Sequence, residues 1–96
     1  MVSLDETEEM IREVKNLRKQ RASLKEQKNE LVKLYHSTSS RSEQFRVYVE
    51  VMNLNEEINS LNQDIMTLTE ELNEIKQYYQ REMGKLNVWK IYRQKI

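Results

Sequence analysis

Ninety-six residues with a single Gly, no Pro and no Cys leave little from which to build sheet turns, and nothing for disulfides or thiolate metal sites. Charged residues make up 33% of the chain and sixteen bases balance sixteen acids, so net charge does not argue for a polyanionic partner. No stretch approaches 18 consecutive apolar residues, and the acidic first ten residues lack the basic and apolar regions of a signal peptide.

A single domain covering residues 1–96 is therefore expected, working inside the cell and in the cytoplasm, with no transmembrane segment. The charge is arranged in blocks. Residues 5–9 carry four acids, and residues 12–33 hold eight bases against three acids, a net +5. Residues 43–75 hold eight acids against Arg46, a net −7, and residues 76–96 hold six bases against Glu82, a net +5. Blocks of opposite sign in one chain tend to face each other.

In chain order, Ser3 followed by Glu6 three residues later reads as a capping box, with Asp5 and Glu6 suiting the positive end of a helix. The spacing predicts a helix over 3–36. Its apolar seam has Met10, Leu17, Leu24 and Leu31 at the d positions of a heptad. The a positions are the poorer set Thr7, Val14, Arg21, Lys28 and Tyr35. A hydroxyl-rich segment follows, predicted as a loop over 37–43. Ser40 and Glu43 form a second capping box, which allows the next helix to start as early as Arg41. Residues 45–51 alternate apolar and polar like a strand, but a strand without a hairpin partner in the sequence has nothing to pair with, so a helix start is expected there.

The second helix, predicted over 44–96, carries the stronger seam. Val51, Ile58, Ile65, Leu72, Tyr79 and Leu86 occupy a, and Leu54, Leu61, Leu68, Ile75, Trp89 and Ile96 occupy d, with Glu82 and Arg93 as the polar interruptions. A helix keeps a 3.5-residue repeat on one side only by coiling around a partner. The two seams are out of phase. Extending the first from Leu31 gives d positions at 38, 45 and 52, whereas the second uses 47 and 54. A two-residue jump is neither a stammer nor a stutter, so the chain must break between the seams.

A short loop makes the helices antiparallel neighbours, pairing positions whose numbers sum to about 82. Leu31 then faces Val51, Leu24 faces Ile58, Leu17 faces Ile65 and Met10 faces Leu72. Arg21 and Lys28 come opposite Leu61 and Leu54, with Glu50, Glu57 or Asp64 in reach of their charged ends. In a parallel pair they would face their own copies, like charge on like charge. The expected fold is all-α: an antiparallel two-helix coiled-coil hairpin, assembling into a dimer as a four-helix or end-to-end coiled coil. Residues 80–96 overhang the first helix by about 25 Å at 1.5 Å per residue. The apolar side chains of that region, Tyr79, Met83, Leu86, Trp89, Tyr92 and Ile96, form the expected oligomer or partner interface.

No pattern points to catalysis, a cofactor or a metal. His36 stands alone and suits the negative end of the first helix. Glu56, Glu57, Glu70 and Glu71 read as a solvated face, and Gly84 is too isolated to make a phosphate loop. The hydroxyls of 37–42 read as loop residues, and a phosphate placed among them would lie at the N-terminus of the second helix. The expected function is a non-enzymatic structural or adaptor protein that binds itself and another protein. The alternative is a small nucleic-acid-associated regulator, because Lys85, Lys90, Arg93 and Lys95 interleave with aromatics. Those bases are scattered around the helix, which favours the protein partner.

Overall fold

A computed structural model describes the backbone of residues 3–95 and the side chains of residues 3–82. Two helices fill it: α1, Leu4–Ser37, of 34 residues, and α2, Arg41–Lys95, of 55 residues. No strand occurs among the described residues, and the alternating segment 45–51 is helical throughout.

The start of α1 follows from its sequence. Ser3 sits in extended conformation and its Oγ accepts the backbone N–H of Glu6 at 3.2 Å, which satisfies one of the free amides of the first turn. Asp5 and Glu6 add negative charge where the helix dipole is positive. At the other end the chain leaves in extended conformation at Thr38, whose N–H still reaches the Leu34 carbonyl at 3.0 Å. The Ser37 hydroxyl donates to the same carbonyl at 3.1 Å.

The connection is shorter than the sequence suggests. The expected loop over 37–43 is only Thr38, Ser39 and Ser40, since α2 begins at Arg41 and not at 44. Two features let it begin early. Ser40 caps α2, its Oγ accepting from Glu43 N–H at 3.4 Å and its carbonyl from Gln44 N–H at 2.9 Å. The side-chain amide of Gln44 then turns back, donating to the carbonyls of Thr38 at 3.2 Å and Tyr35 at 3.4 Å. Those carbonyls would otherwise lack partners beyond the end of α1. The second capping box is only half formed. Glu43 accepts from the Thr38 hydroxyl at 2.9 Å, while that hydroxyl accepts the Ser40 N–H at 3.3 Å.

The helices pack side by side as an antiparallel hairpin with overall extents of 81 × 22 × 15 Å. Two cross-helix meetings show the antiparallel register. Arg21 meets Asn62, and one groove is lined by Glu13 and Leu17 from α1 with Asp64, Thr67 and Leu68 from α2. The core is a single thin stripe. Val14, Val47, Ile58 and Ile65 are its buried apolar residues among those described.

Candidate interaction surfaces

Water is excluded from α1 with a seven-residue rhythm. Val14 is buried; Thr7, Met10, Leu17, Arg21, Leu24, Lys28, Leu31 and Tyr35 are half-buried, joined by Val32. On α2, Ile58 and Ile65 are buried, and Val51, Leu54, Leu61, Leu68, Leu72, Ile75 and Tyr79 are half-buried. A second line, Asn55, Asn62 and Thr69, is half-buried alongside. These e positions turn toward α1 as well, so the covered face of α2 is wider than the a/d stripe.

That second line changes the account of Arg21. Its guanidinium donates from Nη1 to Asn62 Oδ1 at 2.9 Å, in partly buried surroundings, and not to Glu50, Glu57 or Asp64. The carboxylates are held off by geometry. Glu57 and Asp64 project outward as exposed residues, and Glu50 accepts from Arg46 one turn earlier at 3.5 Å. A neutral amide serves a half-buried guanidinium with less desolvation than a carboxylate would bring. No cross-helix ion pair occurs among the described residues; the two ion pairs seen, Lys33 with Glu30 and Arg46 with Glu50, lie within single helices.

His36 lies in the last turn of α1, its ring edge-on to Tyr35 at 5.5 Å between centroids. Among the described residues no group of three or more His, Cys, Asp or Glu side chains converges to hold a metal ion. Glu56, Glu57, Glu70 and Glu71 are all exposed. No helix among the described residues is long and apolar enough to cross a membrane.

Two features of α2 stand apart from the seam. The first is the overhang. α2 has 55 residues and α1 has 34. Tyr79 is half-buried and its ring stands edge-on to Tyr78 at 5.7 Å. Met83, Leu86, Trp89, Tyr92 and Ile96, expected to complete this interface, lie outside the residues whose side chains are described.

The second surface is one the sequence reading passes over. Phe45, Tyr48, Val49 and Met52 are 69%, 53%, 41% and 46% exposed. Their spacing of i, i+3, i+4 and i+7 is that of one helical face. At 100° per residue this face is turned roughly 130° from the seam. The signal was present in the sequence, but it coincided with strand-like alternation that masked the helical spacing.

No protein-family model, curated protein or solved structure matches this chain.

Proposed function

We propose that this chain is a non-enzymatic coiled-coil structural or adaptor protein, working in the cytoplasm, which associates with itself and holds a protein partner through the overhang of α2. The observation that carries the reading is the mismatch in helix length, 55 residues against 34, on a chain whose apolar repeat continues to Ile96. A long apolar repeat keeps one side of a helix turned to a covering partner.

The size of the surface supports the same reading. The chain exposes 8055 Å², against about 5,900 Å² for a compact monomer of this mass. A two-helix hairpin buries one stripe per helix, which is thin support against about 1.5 kcal/mol of ordering entropy per residue. Covering the overhang adds core without adding chain. Tyr79 begins the contact, Met83, Leu86 and Trp89 form its centre, and Tyr92 and Ile96 close it.

Trp89 is the only tryptophan and sits within the proposed contact, so its fluorescence reports on it directly. As protein concentration rises from nanomolar to tens of micromolar, its emission should shift to the blue and become protected from acrylamide. Leu86→Ala should abolish both changes. Emission that stays red and fully quenchable at every concentration would refute the overhang as a self-association surface. Affinity for single-stranded nucleic acid that falls steeply with salt would favour the basic aromatic tail as a phosphate-binding element instead.

A further inference from the structure

The outward stripe on α2 is closed at both ends by opposite charges. Arg41 lies four residues before Phe45 and Glu56 four residues after Met52, so both continue the same helical face. Both are exposed, and neither makes an ion pair or side-chain hydrogen bond among the described residues. The face therefore reads positive, apolar, apolar, negative along the helix, over about 24 Å from residue 41 to residue 56.

Such a face is complementary to itself when turned end for end. We propose that residues 41–56 of α2 form an isologous docking surface for a second copy of this chain, with the two α2 helices crossing antiparallel about an axis beside Tyr48 and Val49. Positions whose numbers sum to 97 then meet. Arg41 of each copy faces Glu56 of the other, Phe45 faces Met52, and Tyr48 and Val49 pack across the axis. A two-fold contact brings one patch against itself, and this patch satisfies that condition in shape and in charge. A parallel arrangement would set Arg41 against Arg41 and Glu56 against Glu56.

Area sets the strength. Two aromatic and two aliphatic side chains at these exposures leave on the order of 400 Å² of contiguous apolar surface, the size at which a patch on a monomer marks a contact site. Two copies bring together about half the area of a standard interface. The contact is thus a small, reversible one. It lies at the turn end of the hairpin, far along α2 from the overhang, and does not depend on the overhang reading. If both contacts operate, each copy has two different two-fold partners and the copies string end to end.

The chain has no cysteine, so one introduced residue reports without background. In full-length protein carrying Leu86→Ala and Trp89→Ala, which removes the overhang contact, Val49→Cys should form a disulfide-linked dimer under mild oxidation. It should do so at least tenfold faster than Glu26→Cys, another exposed position on the hairpin. Sedimentation of the same background should show the dimer weakened about tenfold by Arg41→Glu and by Glu56→Arg, since each change turns two attractive pairs into repulsive ones. The double variant Arg41→Glu with Glu56→Arg should restore the original affinity, and circular dichroism should show unchanged helix content in all variants. Val49→Cys reacting no faster than Glu26→Cys would overturn the proposal, as would a double variant no tighter than the single ones. The Trp89 measurement is made on a different segment, so either contact can fail without the other.

Discussion

Thr69 offers a test of how α1 and α2 fit together. The residue is half-buried on the face of α2 that turns toward α1, and its Oγ1 is shut from water without a hydrogen-bond partner among the described residues. Two other threonines on the helices solve the same problem within their own helix: Thr7 donates to the Ser3 carbonyl and Thr67 to the Gln63 carbonyl, each at 3.0 Å. An unsatisfied buried hydroxyl costs about 1–3 kcal/mol. Thr69 is only half-buried, so the low end applies, about 1 kcal/mol. Valine keeps the branch at Cβ and has nearly the same helix propensity. It replaces the stranded hydroxyl with a methyl group facing the seam. Thr69→Val should therefore raise stability by about 1 kcal/mol, or about 4–8 °C in melting temperature for a chain of this size. Thr67→Val, at an exposed position, should change it by no more than about 0.5 kcal/mol. Thermal melts by far-ultraviolet circular dichroism decide the matter, run at one protein concentration because association shifts the midpoint. A melting temperature equal to or below that of the original chain would mean that the hydroxyl is bonded after all and that the helices meet differently there.

The Arg21–Asn62 bond should appear in a double-mutant cycle. Arg21→Met and Asn62→Ala together should show a coupling of about 1 kcal/mol by denaturant unfolding, and additive effects would mean that the two side chains do not meet. Val47, at 0% exposure, is the most completely buried side chain among the described residues and lies just after the turn. Val47→Ala should cost about 2 kcal/mol; a loss below about 0.5 kcal/mol would show that the hairpin frays at the turn.

The seam was legible because it is periodic: eight apolar residues in steps of three and four can lie on one side of a helix and nowhere else. The break was legible because the two phases disagree by two residues across a run of hydroxyls. The length of the connection was not, since it depends on Gln44 reaching back to the Tyr35 and Thr38 carbonyls, and only the folded turn brings those groups within range. Asn62 was hidden for a similar reason. An e position looks solvated on a helical wheel, and becomes a partner for Arg21 only once the packed helices bring the two side chains together. The stripe at 45–52 was obscured differently. Valine and aromatic side chains at alternate positions satisfy a strand template and a helical face at once, and only the exposures separate the two.

The polar residues in the α1 seam connect these features. An a position occupied by Arg21 or Lys28 weakens any seam, since it withdraws a large apolar side chain from the core. In α1 the weakening is directional. Facing α2, Arg21 donates to Asn62 in partly buried surroundings, so the hairpin tolerates it at little expense. Facing a second α1, two guanidinium groups would meet in a half-buried layer, and two Lys28 ammonium groups a heptad further on. The sequence thus disfavours α1 as a self-association surface and favours its use on α2 of the same chain. The a and d layers of α2 carry no such charge until Glu82. With the seam of α1 occupied by the hairpin, two features of α2 point away from it: the length by which α2 outruns α1, and the exposed stripe from Arg41 to Glu56.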